Sequence, residues 1–186
     1  MKGFFGKILK IDLSSGNSEV ETIPDAVYQR SLGGKGLAAY LLLRDNPPGV
    51  DPLGAENRLI FATGPAAGSP VWGSCRHGVF TKSPQTGFFS ESYAGGTAAE
   101  PMSATGYDAV VLSGTSKNPV WIEVGNESVE IHDASELWGL DTYEAEDAVK
   151  DWIRNHRPSA GRPGTLVIGP AGENRVVFSV IENDRW

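Results

Sequence analysis

The sequence contains a single cysteine, Cys75, among 186 residues. One thiol cannot form an internal disulfide, and it cannot supply the four cysteines that hold an iron–sulfur cluster or a structural zinc ion. A disulfide framework and a four-cysteine metal centre within this chain are therefore excluded. Low cysteine use of this kind is typical of a reducing compartment, and we expect a cytoplasmic protein.

Long apolar runs are also absent, since no segment approaches the ~20 continuous apolar residues of a membrane-spanning helix. Basic residues are outnumbered, with 16 Lys and Arg against 23 Asp and Glu, which gives a formal net charge of −7. A general nucleic-acid surface needs a basic stripe that replaces counterions. We therefore expect neither a membrane nor a nucleic acid as partner. The start, "MKGFFGKILKIDLSSG", lacks a long apolar core and is interpreted as mature sequence rather than a signal peptide.

Charge is scarce in the middle of the chain, where residues 59–107 include only Arg76, Lys82, Glu91 and Glu100 as charged side chains. The same stretch is rich in glycine and other small residues. Low charge and small side chains let the backbone approach another surface closely, although a buried core has a similar composition. Composition alone therefore leaves open whether this stretch is core or contact surface.

Hydrophobic periodicity predicts one α+β domain over residues 1–186, rich in strands, with mixed sheets and a few helices. The predicted strands are residues 4–13 and 18–23, which form a hairpin, and 58–63, 75–82, 87–92, 108–114, 119–125, 127–133, 165–169 and 175–182. The predicted helices are residues 25–32, 35–44, 97–105 and 142–156. Two pairs of similar segments, "GNSEVETI" with "GNESVEIH" and "ATGPAAG" with "VIGPAGEN", indicate an internal duplication, although matches this short also arise by chance.

Arg76 is the best candidate for anion recognition, because Gly73, Ser74 and Gly78 around it leave room for a ligand. A guanidinium group binds phosphate through two parallel hydrogen bonds. Lys82 is too far along the predicted strand to share the same small group, since six strand residues span about 20 Å. The alternative is an ordinary surface arginine that pairs with a carboxylate.

The segment Tyr93-Ala94-Gly95-Gly96 precedes a predicted helix. Glycines at this place let the backbone approach an anion, and a helix N-terminus offers free N–H groups. The alternative is an ordinary turn. The segment is not a nucleotide fingerprint, because neither the P-loop spacing nor a Gly-x-Gly-x-x-Gly after a strand is present.

No catalytic set emerges from the remaining reactive side chains, so the catalytic residues stay unknown. Cys75 is interpreted as a small buried residue, because its neighbours on a strand point to the opposite face. His77 has no metal-ligating residue at a suitable spacing. His132 and Asp133 end a polar strand, and no Gly-x-Ser-x-Gly motif accompanies them.

Several separated segments, in constant order and spacing, resemble the N-terminal domain of the aldehyde ferredoxin oxidoreductase family, the tungsten or molybdenum pterin enzymes. They cover the chain from about residue 3 to its last residue. The segments are "GKILKIDLSSG", "LGGKGLAAYLL", "VDPLGAENRLIFATGP", "CRHGVFTKSPQTGFF", "AGGTAAEPMSATGYDAVVLSG", "VEIHDASELWG" and "IGPAGENRVVFSVIENDRW".

The resemblance implies a β-rich base on which a tungsten (or molybdenum) bis-pterin cofactor lies. It implies that Arg76 contacts pterin phosphate and that the loop of Tyr93, Ala94, Gly95 and Gly96 contacts the cofactor. A magnesium ion that bridges two phosphates would take the backbone carbonyl of Tyr93. Family members often have asparagine at this position, so the packing of the loop around the tyrosine ring departs from the family's pattern.

The resemblance also implies an activity whose catalytic and electron-transfer residues lie outside these 186 residues. The complete enzymes oxidise aldehydes to carboxylic acids and pass electrons through a 4Fe-4S cluster to ferredoxin, with the cluster cysteines and the substrate pocket in later helical domains. We therefore expect the 186-residue chain alone to bind no cofactor and to lack oxidoreductase activity. An alternative is a stand-alone binding or assembly subunit that docks to a separate catalytic chain.

Overall fold

The computed structural model describes residues 2–185 as a six-stranded mixed sheet, a separate two-stranded hairpin and five helices. The strands are β1 Lys7–Asp12, β2 Asn17–Thr22, β3 Leu59–Thr63, β4 His77–Lys82, β5 Phe89–Ala94, β6 Ala109–Ser113, β7 Val120–Val124 and β8 Val129–Asp133. The helices are α1 Asp25–Ser31, α2 Lys35–Asp45, α3 Ala99–Ala104, α4 Thr142–His156 and α5 Pro170–Glu173. The predicted α+β class is confirmed.

The large sheet has the strand order β2-β1-β6-β3-β4-β5. Strands β1 and β6 pair in parallel, and every other neighbouring pair is antiparallel. The hairpin β7–β8 forms its own two-stranded sheet. The two hairpins that the repeated "GN" segments predict are therefore both present, but one belongs to the large sheet and the other does not.

The large sheet has an apolar cluster on each of its two faces. Successive strand residues point to opposite faces, so the four inner strands contribute side chains to both clusters. Helices α1 and α2 cover one face, where Tyr28, Leu37 and Leu41 pack against Ile60 and Phe80. On the opposite face the hairpin β7–β8 packs against the sheet through its apolar side chains. The side chains of this second cluster include Leu9, Ile11, Phe61, Tyr107, Val110, Ile122, Val124, Val129 and Ile131.

Helix α4 begins at a capping box, as its sequence pattern favours. The side chain of Asp141 accepts hydrogen bonds from the N–H groups of Tyr143 and Glu144 at 2.9 and 2.8 Å. The carboxylate of Glu144 accepts in return from the N–H of Asp141 at 3.3 Å. These reciprocal bonds satisfy donors that a helix start leaves free, and the predicted bounds of this helix are confirmed.

The two last predicted strands, residues 165–169 and 175–182, are wrong. Within the described residues they share only one antiparallel bridge, between Val167 and Glu182. Helix α5 lies between them, and Val177, Phe178 and Val180 remain exposed. Their apolar pattern is that of a strand, but a strand also needs a neighbour that pairs with it along its length, and the described chain supplies only this one bridge.

Asp108, just before β6, joins the N-terminal segment to α1. Its buried carboxylate accepts hydrogen bonds from the N–H groups of Phe5 and Gly6 at 3.1 and 2.8 Å. The hydroxyl of Tyr28, also fully buried, donates to the same carboxylate at 2.6 Å. One side chain therefore satisfies three donors from two separate segments.

None of the helices in residues 2–185 combines the length and apolar character needed to cross a membrane.

An ion-pair group where β2 meets the end of α2 predicts a loss of stability in acid. Partial burial would raise the pKa of Glu21, but hydrogen bonds from Arg44 and Lys10 outweigh it and hold the pKa below its ordinary value of 4.5. A carboxylate with a depressed folded pKa contributes stability above its unfolded pKa, and this contribution is lost as the pH falls through the folded pKa. We expect Glu21→Gln to flatten the decrease in unfolding free energy below about pH 4.5.

Urea unfolding followed by circular dichroism at a series of pH values measures this effect. Glu127→Gln is the matched control, because Glu127 is exposed and makes no ion pair within residues 2–185. Curves of the Glu21→Gln protein and the unchanged protein that run parallel from pH 7 into acid would contradict the prediction.

Candidate functional site

One end of the large sheet brings together the segments that the sequence analysis identified. Thr63 at the end of β3 pairs with His77 at the start of β4, and His77 pairs with Ala94 at the end of β5. The loop of residues 64–76 and the segment that follows β5 therefore leave the sheet at the same end of these strands. Arg76, predicted within a strand, instead lies just before β4.

Arg76 lies beside Gly95 at this end of the sheet. One further step along the β4–β5 register places the two residues opposite each other. A β-carbon added to Gly95 would lie 3.8 Å from both Cζ and Nε of the guanidinium. The arginine is exposed, and its side chain makes no hydrogen bond or ion pair with any residue from 2 to 185. The alternative of a surface arginine paired with a carboxylate is therefore not what the described chain shows.

Gly96 differs from Gly95 because Asn183 of the same chain occupies the space that a side chain at position 96 would need. Its φ is +75°, and a β-carbon there would lie 2.6 Å from Oδ1 of Asn183. A side chain at this position would meet both an unfavourable backbone conformation and a direct clash. The glycine is therefore required by local packing, whether or not a ligand approaches it.

The Tyr93 side chain packs along the sheet. Its ring meets Phe80 edge-on, with centroids 5.8 Å apart, and Tyr93 pairs with Gly78 across the strands. Its hydroxyl donates to Glu91 at 3.3 Å, and Lys35 at the start of α2 forms an ion pair with the same carboxylate. Desolvation and the Glu91 charge raise the pKa of Tyr93. The bulk of the tyrosine is thus accommodated by a glycine on the neighbouring strand.

His77 is buried and has no catalytic partner in the described residues, whereas Cys75 is half-buried rather than buried, because it lies before β4 and not within a strand. The thiol of Cys75 donates to the carbonyl oxygen of Gly96 at 3.3 Å. His77 is 2% exposed, its Nδ1 has no hydrogen-bond partner within the described residues, and burial lowers its pKa. Burial therefore favours the neutral imidazole at physiological pH.

His132 belongs to a different cluster, on the β7–β8 hairpin. Its Nε2 lies 3.1 Å from Glu123, and its ring stacks on Trp121 with centroids 4.1 Å apart. In residues 2–185, Glu123, Glu130 and His132 are the set whose geometry could hold a metal ion. However, Arg157 donates to Glu123 at 3.1 Å and to Glu130 at 2.7 Å. Both carboxylates therefore already share an internal cation, and the cluster ties the hairpin to the end of α4.

Sequence reasoning gave no role to the residues that support the Gly95–Gly96 segment from behind. Asp184 accepts from the N–H of Thr97 at 3.0 Å, and Lys150 of α4 donates to Asp184 at 2.9 Å. Lys150 also pairs with Glu146 one turn away, although Glu146 is only 1% exposed. The sequence did contain one signal for this cluster, namely a Glu and a Lys four residues apart on a partly buried face of α4.

The site fits an anion better than a metal ion bound by side chains. It offers a guanidinium without a partner in the described part of the chain, next to a glycine that presents open backbone. This combination suits a phosphate group, which needs a cation and close approach. A magnesium ion would depend on backbone carbonyls, such as that of Tyr93, and this assignment stays a prediction.

Comparison with known proteins gives one family and several relatives. The family described as "Aldehyde ferredoxin oxidoreductase, N-terminal domain" matches residues 8–186. A tungsten-containing aldehyde ferredoxin oxidoreductase of Thermococcus kodakarensis is 42% identical over 184 residues, and the enzyme of the same name from Pyrococcus furiosus is 39% identical. Each match covers 99% of this chain and 30% of the relative, so the chain spans about a third of the relatives' length.

Two further relatives differ in their described activity. The WOR-like subunit of an aliphatic sulfonate oxidoreductase from Pyrococcus furiosus is 31% identical, over 97% of this chain and 30% of that protein. Among solved structures, a chain of the active-site complex BamBC of benzoyl coenzyme A reductase, in complex with 1,5-dienoyl-CoA, superposes with a TM-score of 0.91. It is 36% identical, and the match covers 98% of this chain and 27% of that one.

Proposed function

Because the chain belongs to the aldehyde ferredoxin oxidoreductase family, we propose that it forms one wall of the tungsten–bispterin site of a larger oxidoreductase. The exposed guanidinium of Arg76 beside Gly95, which has no partner among residues 2–185, is the observation on which this proposal rests. We call Arg76 and the backbone of Gly95 and Gly96 the phosphate cradle. Arg76 would hold a pterin phosphate through two parallel hydrogen bonds, and Gly95 would allow the cofactor to contact the backbone.

The other parts of the cofactor loop have smaller roles in this proposal. Tyr93 would offer its backbone carbonyl to a magnesium ion between two phosphates, and Ala94 holds the loop to β4 through its pairing with His77. When bound, the tungsten cofactor would supply the oxidation of an aldehyde to a carboxylate. The iron–sulfur cluster, the substrate pocket and the contact with ferredoxin would belong to the remaining two thirds of such an enzyme. Within the complete enzyme, the part formed by these 186 residues would help to orient and retain the cofactor.

A second candidate is a stand-alone assembly subunit that docks to a separate catalytic chain. The loop of residues 64–76 favours it, because Trp72 is fully exposed at its tip and Val71 beside it is 63% exposed. Large apolar side chains in this position are typical of a contact surface. In this reading the cradle would still face a cofactor, but the chain that completes the site would be a different polypeptide.

Binding of inorganic pyrophosphate, measured by NMR titration of the 186-residue chain, tests the phosphate cradle. We expect weak binding by the unchanged chain, with shifts in the amides of residues 93–97. Arg76→Ala is expected to weaken binding by about tenfold or more, because hydrogen bonds to a charged group contribute ~1.5–3 kcal/mol. Arg76→Lys should fall in between, since it keeps the charge and loses the paired hydrogen bonds.

Lys117→Ala is the control, because it removes the same charge from an exposed residue in the loop that follows β6, at the opposite end of the sheet. Its affinity for pyrophosphate should match that of the unchanged chain. Equal affinities for Arg76→Ala and Lys117→Ala would show that net charge, and not the cradle, binds the probe.

A further inference from the structure

A turn near the end of the described chain holds the segment that follows β5. Asn183 is 2% exposed and places its Oδ1 against Gly96. The carboxylate of Asp184 accepts hydrogen bonds from both the N–H and the hydroxyl of Thr97. Two consecutive residues of this turn therefore contact two consecutive residues of the other segment, although 87 positions separate Thr97 from Asp184.

Helix α4 fixes the same turn from the other side. Lys150 donates to the second oxygen of Asp184 at 2.9 Å and also pairs with Glu146. Glu146 in turn accepts from the N–H of Arg185 at 3.2 Å. Burial would raise the pKa of Asp184, but the hydrogen bonds from Thr97 and Lys150 hold it below its ordinary value of 3.8. The Lys150 charge and the Thr97 hydrogen bonds thus favour the ionised form of this carboxylate.

The backbone of the turn is itself strained. Asp184 and Arg185 have φ values of 48° and 64°, a region that residues other than glycine seldom occupy. Consecutive residues persist in this region only where the surrounding contacts hold them, and such strain is common where a segment must present a group in one position. Here the group presented is the Asp184 carboxylate.

We propose that Asp184 is a positioning residue for the phosphate cradle, which it acts on through Thr97. This inference rests on the proposed function of Arg76. Gly95 and Gly96 have no side chains of their own with which to fix their backbone, and glycine has the greatest backbone freedom. The β4–β5 pairing fixes the segment at Ala94, and the Asp184–Thr97 bonds fix it three residues later. The two glycines are thus held between two anchors, opposite the guanidinium.

Thr97→Val and Thr97→Ser form the test pair, with amide hydrogen exchange and pyrophosphate titration of the 186-residue chain as the two measurements. Valine keeps the shape of threonine and loses only the hydroxyl donor, whereas serine keeps that donor. We expect Thr97→Val to raise the exchange rates of the Gly95 and Gly96 amides by about tenfold and to weaken pyrophosphate binding by about threefold to tenfold. Thr97→Ser should restore both values. Asp184→Asn, which also loses the charge that faces Lys150, should exceed Thr97→Val in both measurements.

Asp147→Asn is the control, because Asp147 forms an exposed ion pair with Arg185 and does not contact Thr97. It should leave exchange and affinity unchanged. A Thr97→Val protein that melts at a lower temperature but binds pyrophosphate as tightly as the unchanged chain would overturn the positioning role and leave the cradle intact. No pyrophosphate binding by the unchanged chain would instead overturn the cradle, and unchanged glycine exchange in Thr97→Val and Asp184→Asn would overturn the anchoring itself.

Discussion

Replacing Asp108 with alanine is expected to lower the free energy of unfolding by about 3–5 kcal/mol, because it leaves the buried Tyr28 hydroxyl and two partly buried backbone N–H groups without their acceptor. The carboxylate accepts from the backbone N–H groups of Phe5 and Gly6 and from the hydroxyl of Tyr28. Two of these donors belong to the backbone directly before β1, so the pairing of β1 in the sheet limits how far they can move. The cost is therefore the desolvation of the abandoned groups and not merely the loss of three bonds.

Tyr28→Phe is the matched control for this experiment, since it removes one donor and leaves the carboxylate with the other two. It should cost about 1–1.5 kcal/mol. Urea unfolding of both proteins, followed by circular dichroism, measures the difference. An Asp108→Ala protein no less stable than Tyr28→Phe would show that the two backbone donors do not depend on this side chain.

Substituting Gly36 with alanine should be nearly as damaging, with an expected loss of about 3 kcal/mol. A β-carbon at this position would lie 1.8 Å from the carbonyl oxygen of Ser31. The obstacle is backbone, so no change of rotamer relieves it, and α2 would have to move away from the end of α1. Leu37 and Leu41 of α2 are fully buried against the sheet, and such a movement would open the core beneath them.

Thermal unfolding compared with a Gly161→Ala protein tests this expectation. Gly161 has no atom within 4 Å of an added β-carbon and no positive φ, so alanine there is expected to change stability by only about 0.5 kcal/mol. Similar midpoints for the two alanine proteins would mean that the α1–α2 connection adapts without strain.

Local sequence patterns predicted most of the fold because they reflect local physical chemistry. The helices α2 and α4 and the two hairpins follow from apolar spacing, capping residues and turn residues within short windows. The segments 165–169 and 175–182 failed because their pattern specifies a strand but does not supply the neighbouring strand. Whether such a segment joins a sheet depends on residues far away in the sequence.

In the candidate site, too, local features could be predicted from the sequence and long-range contacts could not. Arg76 and the Gly95–Gly96 pair could be identified from residue types, although only the β4–β5 register shows that Arg76 and Gly95 are adjacent. The Asp184–Thr97 contact could not be predicted, because nothing in either segment specifies the other. This long-range pairing depends on how α4, the end of β5 and the turn at residues 183–185 pack together.

The unequal surroundings of Gly95 and Gly96 imply different evolutionary histories for two neighbouring glycines. Gly96 leaves no room for a side chain beside Asn183, so a homologue that had lost its cofactor would still retain glycine at this position for as long as it kept the turn. Among residues 2–185, a β-carbon at Gly95 would meet only the arginine across the strand, so the same homologue would be free to acquire alanine or serine there. Under the proposed phosphate cradle, substitutions at position 95, and not at position 96, would therefore mark the lineages that no longer bind the cofactor.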